Sequence, residues 1–276
     1  MISNFIFIIL FFVSKIPIKL LYSISKIIQL FNCIWIKYRI SIVRENIKKA
    51  FPMLEHKKHE QIKNKFYNYF FNTLFEIIKS ISLSAKNIKK RVKINNPEVI
   101  QKIKDSNKPT ILITSHYCNW EWLFLRVGLI PEIKLSAVYK PLSNKYFNYI
   151  LLKIRSKFGA KLIPLKEWKY FMLNNKEKSN VFMFIADQVP EHEKIGQRMQ
   201  FLNQSTLFHQ GTEKINNLLN YDVFYVEMNI LQRGYYSILF KKISEKKITK
   251  QYVELLEKTI TKQPENWLWS HNRWKR

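Results

Sequence analysis

The chain has 276 residues, of which 47% are hydrophobic, and it carries 47 Lys and Arg against 20 Asp and Glu, a formal net charge of +27. This length and apolar content suffice for one sizeable core, and the five glycines and nine prolines exclude fibrous and low-complexity classes. Two cysteines, Cys33 and Cys118, make no disulfide framework. Because no zinc-finger spacing or RNA-binding aromatic motif accompanies the charge, it favours an anionic membrane surface or an acidic protein partner over nucleic acid.

The first 38 residues are predicted to attach the chain to a membrane. Ile2–Val13 is almost wholly apolar, but Lys15 and Lys19 end the run before the roughly 20 residues that a span needs. Ile18–Ile36 stays apolar at helical spacing, which fits either one tilted span or an amphipathic helix in the interface. The absence of a basic n-region and of a small-residue cleavage site argues against a signal peptide. We therefore predict an anchoring segment over residues 1–38 and the main domain over residues 39–276.

Two helices are predicted after the anchor. The first carries Arg39 and Arg44 and ends at Phe51-Pro52; its positive charge suits either anionic headgroups or a solvated face. The second covers His56–Ile81, where aromatic residues recur at helical spacing. This aromatic stripe is interpreted either as core or as the lining of an acyl-chain site.

Short apolar runs then alternate with helical segments, which indicates an α/β domain. Predicted strands are Lys90–Ile94, Thr110–Thr114, Leu135–Tyr139, Val181–Ala186, and a hairpin of Tyr221–Ile230 with Tyr235–Phe240. Predicted helices are Pro97–Ile103, Trp122–Val127, Asn144–Phe158 (with Gly159 as its C-cap) and Val253–Thr261.

The stretch Pro109–Phe124 holds the strongest candidate for catalysis. Its β-branched run, Thr110–Thr114, predicts a buried strand, and Asn119 suits the N-cap of the helix that follows. His116 and Glu121 therefore lie at the carboxyl end of a sheet, where open α/β folds keep their reactive groups. An imidazole can take a proton from a hydroxyl while a carboxylate orients the ring, so the pair predicts general-base catalysis.

His116 and Glu121 also allow a metal-binding and a purely structural interpretation. Metal ligands on one helix face are spaced three or four residues apart, and no second histidine or carboxylate lies nearby in sequence, so we predict no metal site. A histidine that caps a helix end, with a glutamate favouring the dipole of the first turn, would account for both residues without catalysis.

Further motifs follow in a fixed order. They are His116-x4-Glu121, Tyr139-Lys140-Pro141, Arg155 in the last turn of a helix, Asp187-Gln188 after a buried strand, and the ending Pro264-Glu265-Asn266-Trp267-Leu268-Trp269-Ser270-His271-Asn272-Arg273-Trp274-Lys275. The set resembles the late acyltransferases of lipid A biosynthesis, the lauroyl- and myristoyl-transferring enzymes of the glycerolipid and lysophospholipid acyltransferase superfamily. Lys140 departs from the arginine that many members carry, which keeps the positive charge but not the bidentate geometry.

The resemblance implies a fold and a set of residue roles. The fold would be α/β, with a mixed, largely parallel sheet flanked by helices and an N-terminal membrane helix. His116 would deprotonate the acceptor hydroxyl, Glu121 would hold the imidazole ring, and Arg155 with backbone N–H groups would steady the oxyanion. Substrate binding would fall to Tyr139, Lys140, Asp187, Gln188 and Arg273, with Asp187 either positioning the acceptor or bracing its loop.

The resemblance also implies an activity. The enzyme would act at the cytoplasmic face of the inner membrane, moving a fatty acyl chain from an acyl-carrier-protein thioester to a hydroxyl of a lipid A precursor. No cofactor or metal is expected, because a thioester is already an activated acyl donor. Two alternatives remain: acylation of a lysophospholipid or an aminolipid, and a membrane-surface protein that kept the fold without the chemistry. The presence of both His116 and Glu121 argues against the second.

Overall fold

The computed structural model describes residues 2–190, 195–244 and 246–274. The strands in these residues are β1 (Val92–Ile94), β2 (Thr110–Thr114), β3 (Lys134–Tyr139), β4 (Lys161–Pro164), β5 (Asn180–Ile185), β6 (Gly196–Phe201), β7 (Gln204–His209), β8 (Asp222–Gln232) and β9 (Tyr235–Ile243). Seven of them form one sheet in the order β1-β9-β8-β2-β5-β3-β4, and β6 pairs with β7 in a separate hairpin. The predicted mixed, largely parallel sheet is confirmed, since β8, β2, β5, β3 and β4 are mutually parallel while β9 runs antiparallel to β8.

Helices flank this sheet. They are α1 (Ile2–Lys15), α2 (Ile18–Phe31), α3 (Ile40–Ala50), α4 (His56–Lys79), α5 (Ala85–Arg91), α6 (Pro97–Asp105), α7 (Trp120–Val127), α8 (Lys145–Arg155), α9 (Trp168–Asn174), α10 (Gly211–Leu219) and α11 (Ile248–Lys262). A short π-helical turn extends α2 to Ile36, and a 3-10 turn extends α8 to Phe158.

Strong local signals account for the elements that were predicted correctly. All five residues of β2 are buried, as its unbroken β-branched run requires. The side chain of Asn119 accepts a hydrogen bond from the Trp122 backbone N–H and so caps α7 as predicted. Gly159 ends the α8 region in the left-handed conformation, at φ 85°, which glycine adopts without steric cost.

The β6–β7 hairpin was not predicted. Its two turn residues, Leu202 and Asn203, both have positive φ values, of 50° and 60°. A two-residue turn of this kind normally shows itself in sequence as Asn-Gly or Asp-Gly. Because leucine stands at the first turn position here, the strongest hairpin signal is missing, and the mostly polar strand β6 (GQRMQF) gives no apolar alternation to replace it.

The N-terminal helices are bent rather than continuous. The axes of α1 and the extended α2 differ by 112°, and no single described helix is long and apolar enough to cross a membrane, although the bent pair meets that test by length and composition. One side of α2 packs on α4 through buried polar contacts: Ser25 Oγ lies 2.8 Å from Asn72 Oδ1. Lys79 at the end of α4 donates to the carbonyls of Ser14 and Ile16 in the α1–α2 corner.

Candidate active site

Two neighbouring parallel strands bring the candidate catalytic groups together. Strands β2 and β5 are paired with Thr114 opposite Ile185, and the Ala186 N–H donates to the Thr114 carbonyl beyond the end of the ladder. The next residues on each side are Ser115-His116 and Asp187. Their side chains therefore project from the same carboxyl edge of the sheet, as expected for a site in an open α/β fold.

The ring of His116 is held by Asp187. His116 Nδ1 lies 2.7 Å from Asp187 Oδ1, and Asp187 Oδ2 accepts both the His116 backbone N–H, at 3.0 Å, and Trp267 Nε1, at 2.8 Å. Burial alone would raise the pKa of Asp187, but the attraction of His116 and these hydrogen bonds outweigh it and lower the pKa below its usual range. An ionised, threefold-bonded carboxylate is well suited to orient an imidazole and to stabilise it when it becomes charged.

The other ring nitrogen, Nε2, lies beside Gln188. Gln188 Nε2 lies 3.3 Å from His116 Nε2, and the Trp120 ring packs edge-on against the imidazole with centroids 5.1 Å apart. With Nδ1 bonded to a carboxylate, Nδ1 carries the proton and Nε2 is the acceptor. The structure thus leaves Nε2, beside Gln188, as the atom that can take a proton from a substrate.

Glu121 has a different partner from the one predicted. Its carboxylate forms a bidentate pair with Arg155, with Nε to Oε2 at 2.8 Å and Nη2 to Oε1 at 2.5 Å, and it also accepts Trp120 Nε1 at 3.1 Å. Burial pushes the pKa of Glu121 up, but the charge and hydrogen bonds of Arg155 lower it overall. The expectation that Glu121 holds the His116 ring is therefore corrected: Asp187 makes that contact, and Glu121 fixes α8 and Trp120 beside it.

A narrow apolar cavity of about 30 Å³ adjoins the Glu121–Arg155 pair. Tyr139, Thr114, Phe124, Ala137 and Met183 are among its lining residues. A cavity of this size has room for only a few water molecules, so an acyl chain would enter only if side chains move. The structure places Tyr139 at this cavity, as part of the predicted site, and places Lys140 at the exposed end of β3 directly after it.

The C-terminal segment braces the loop of residues 115–119, the candidate catalytic loop, through backbone hydrogen bonds. The Cys118 backbone N–H donates to the Asn266 carbonyl at 3.0 Å, and the Leu268 N–H donates to the His116 carbonyl at 3.1 Å. The indole of Trp267 completes this support through its hydrogen bond to Asp187. Trp267 thus supports the site from within, whereas the indoles of Trp269 and Trp274 donate to Pro264 and Thr206. Lys275, part of the same sequence motif, lies outside the described residues.

Arg273 is buried against the β6–β7 hairpin. It is 3% exposed, its Nη2 donates to the Leu207 carbonyl at 2.6 Å, and its guanidinium lies over the Phe208 ring at 4.6 Å. The predicted substrate-binding role is accordingly revised to one of locking the chain end onto the β6–β7 hairpin. Two residues before Arg273, half-buried His271 has its pKa lowered to about 4, mainly because burial disfavours its charged form.

Sequence reasoning missed two parts of the site. It did not join Asp187 to His116, although both follow buried strands and a parallel pairing would have brought them together. It also gave Trp267 no role in the site, since nothing local marks an indole N–H as the partner of a carboxylate 80 residues away.

Comparison with known proteins supplies the family. A comparison with curated protein sequences gave no match. The family model of the bacterial lipid A biosynthesis acyltransferases matches residues 1–276, the whole chain. The resemblance carried by the motifs is thereby confirmed, and the chain belongs to the bacterial lipid A biosynthesis acyltransferase family and is an acyltransferase.

Proposed function

We propose that this acyltransferase moves a fatty acyl chain from an acyl-carrier-protein thioester to a hydroxyl of a lipid A precursor, with His116 as general base. The observation that carries the proposal is the His116–Asp187 contact of 2.7 Å at the shared end of β2 and β5. Asp187 holds Nδ1 and leaves Nε2 directed to the acceptor side. A general base must have that nitrogen within hydrogen-bond reach of the proton that it removes.

The reaction would proceed by direct transfer. His116 Nε2 takes the proton of the acceptor hydroxyl as its oxygen attacks the thioester carbonyl carbon. The C–S bond then breaks, the new ester forms, and the carrier thiolate leaves and receives the proton from the imidazolium. Gln188, 3.3 Å from Nε2, occupies the place where the acceptor hydroxyl would lie, so its amide would turn to that hydroxyl on binding.

Arg155 is proposed to stabilise the negative charge that develops on the carbonyl oxygen of the thioester. Its Nε and Nη2 are engaged by Glu121, which fixes the plane of the guanidinium, and Nη1 takes no part in that pair. A fixed cation next to the reacting carbonyl stabilises negative charge as it develops on oxygen. Glu121 would thus act on the reaction through Arg155 and Trp120.

Attachment to a membrane is proposed from the exposed apolar surface of the N-terminal pair. Phe12 is 68% exposed and Trp35 is 76% exposed, and their neighbours Phe5, Ile8, Leu20, Ile27 and Ile34 are exposed as well. Since the other side of α2 is fastened to α4, we propose that the bent pair lies in one leaflet of the inner membrane with the site on the cytoplasmic side. Replacing Phe12 and Trp35 together by Glu should release the protein from floated liposomes at high salt, whereas Met53→Glu, at a 94% exposed position outside the pair, should not.

The test of the reaction uses the purified full chain, an acyl-carrier-protein thioester and three acceptors: a lipid A precursor, a lysophospholipid and an aminolipid. Replacing His116 by Ala should lower turnover by about 10²–10⁴-fold. His56→Ala, at an exposed position at the start of α4, is the matched control and should keep wild-type turnover. Preference for another acceptor would overturn the lipid A assignment, and near wild-type turnover of the His116 variant would overturn the role of the base.

A further inference from the structure

Glu76 is a buried carboxylate that the proposed reaction does not use. It lies on α4 and is 1% exposed. Tyr22 Oη donates to its Oε1 at 2.5 Å, and Tyr236 Oη and Asn119 Nδ2 each donate to its Oε2 at 2.6 Å. Burial has the largest influence and leaves the pKa of Glu76 raised, although these three hydrogen bonds and the charge of Arg91 act in the opposite direction. A buried polar group with three donors fixes the elements that supply them.

One of those elements is the catalytic loop. Asn119 uses both ends of its amide: Oδ1 accepts the Trp122 N–H at 3.0 Å and Nδ2 donates to Glu76. Capping α7 requires only the oxygen, and Asp or Ser would cap as well. The NH₂ group of Asn119 is therefore not needed for the cap, and it binds Glu76 instead.

The loop next to Asn119 is strained. Cys118 has a φ of 53°, a left-handed conformation that non-glycine residues seldom adopt. Such conformations persist where the surroundings over-determine them. Here the Asn266 carbonyl holds the Cys118 N–H, and Glu76 holds Asn119. His116 is two residues before Cys118, so its position depends on both anchors.

A second element tied to Glu76 is α2, the helix whose outer side carries exposed apolar residues. Tyr22 is 7% exposed and passes so close to the β8–β9 turn that a Cβ on Gly234 would lie 2.4 Å from its hydroxyl oxygen. The Arg233 guanidinium lies over its ring at 5.1 Å. Tyr22 therefore attaches α2 to Glu76, the same carboxylate that binds Asn119 of the candidate catalytic loop.

We propose that Glu76 is a positioning residue for acyl transfer: through Asn119 it fixes the loop that carries His116, and through Tyr22 it ties that loop to α2. Seating of the membrane-facing helix and the geometry of the site are then coupled. The consequence for turnover rests on the proposed function, but the coupling itself does not. It can be measured by a readout that involves no substrate.

Cys118 supplies that readout. Its side chain is fully buried, and burial together with the charge of Glu76 raises the pKa of its thiol, so alkylation in the closed loop is slow. Cys33 is exposed. In a Cys33→Ser background of the full chain, the rate of reaction with iodoacetamide at pH 8 reports opening of the loop, and the thermal midpoint, measured in parallel, separates local opening from global unfolding.

The decisive variants exchange the hydrogen-bond donor and acceptor between Asn119 and Glu76. Asn119→Asp keeps the cap of α7 but sets a carboxylate against Glu76, so alkylation should rise about tenfold or more and kcat should fall with little change in KM. Glu76→Gln keeps an oxygen that accepts from Asn119 and Tyr236, but it presents an NH₂ group to the Tyr22 hydroxyl and removes a charge that raises the pKa of the Cys118 thiol. It should therefore lower kcat and raise alkylation, each by less than N119D does. In the double variant N119D/E76Q, the NH₂ group introduced at position 76 can donate to the carboxylate introduced at position 119. The alkylation rate and kcat should then both return most of the way to their wild-type values. Asn119→Ser, which caps but is too short to reach Glu76, is the milder variant should N119D not fold.

The coupling of the loop to α2 is tested by comparing two substitutions on that helix. Tyr22→Phe removes the hydroxyl that reaches Glu76 and should raise Cys118 alkylation several-fold. Ser25→Ala removes a different buried α2–α4 contact, to Asn72, and should leave the alkylation rate unchanged. Loss of turnover in the variants without faster alkylation would overturn the coupling. So would wild-type behaviour of both Asn119 variants, failure of the exchanged pair to recover, or equal effects of Y22F and S25A. Absence of acyl transfer in the wild type would overturn the proposed function and leave the alkylation result to decide the coupling.

Discussion

The candidate site contains two buried carboxylates, Asp187 and Glu121, and their partners differ. Asp187 and Glu121 both have side chains that are 3% exposed, but Asp187 bonds to the imidazole and an indole, whereas Glu121 bonds to the guanidinium of Arg155 and the neighbouring indole. Asp187 thus faces a group that gains charge during the proposed reaction, and Glu121 faces one that is always charged. The residue that a sequence motif singles out, Glu121, is therefore not the one that bonds to His116.

Changing Asp187 should have the largest effect on turnover. Asp187→Asn keeps the shape but removes the charge that stabilises the imidazolium, and its NH₂ group disfavours the tautomer with a proton on Nδ1. We expect a loss in kcat of about 10²–10⁴-fold, comparable to loss of the base itself. Steady-state kinetics with a circular-dichroism check of folding measure it, and a loss of under tenfold in a folded variant would contradict the assignment.

Changing Glu121 should act first on stability. Glu121→Gln leaves the Arg155 guanidinium, whose side chain is 20% exposed, without its charged partner, which costs about 3–5 kcal/mol for a buried pair. Adding Arg155→Met removes the unpaired charge and should recover most of that loss in urea unfolding. A Glu121→Gln variant as stable as the wild type would show that the Glu121–Arg155 pair does not stabilise the fold.

A smaller effect is expected from His271. Its pKa is lowered to about 4 in the folded protein, from an ordinary value near 6.5, so the unfolded chain binds more protons between these values. The stability contributed by neutral His271 is therefore complete above pH 6.5 and is lost as pH falls toward 4. Allowing for its partial exposure, the loss is about 1–2 kcal/mol. His271→Gln should make the free energy of unfolding depend less on pH between about pH 4 and 6.5. An unchanged pH dependence would show that His271 is not the group responsible.

The sequence predicted what depends on neighbours along the chain. The burial of β2, the Asn119 cap of α7 and the Gly159 end of the α8 region each follow from a few adjacent residues, and each is confirmed. The partner of His116 could not be predicted in the same way, because it depends on β2 pairing with β5, 71 positions along the chain.

The placement of Glu121 was unpredictable for a related reason. The packing of α8 beside α7 presents Arg155 to its carboxylate. A bidentate pair with a guanidinium is stronger than a single bond to an imidazole. Arg273 was assigned to substrate binding from the resemblance. Its neighbours in the sequence do not show that its side chain is only 3% exposed and packs on the β6–β7 hairpin.

The central claim, that Asp187 acts on the reaction through His116, is tested most directly by a double-mutant cycle on kcat. We predict that Asp187→Asn lowers turnover steeply in the wild-type chain but by less than about threefold in a His116→Ala background, since groups that act as a unit are non-additive. Glu121→Gln should keep its own effect in that background because it acts through Arg155. If Asp187→Asn costs the same factor with and without His116, the two residues act independently, and the account of the site is contradicted.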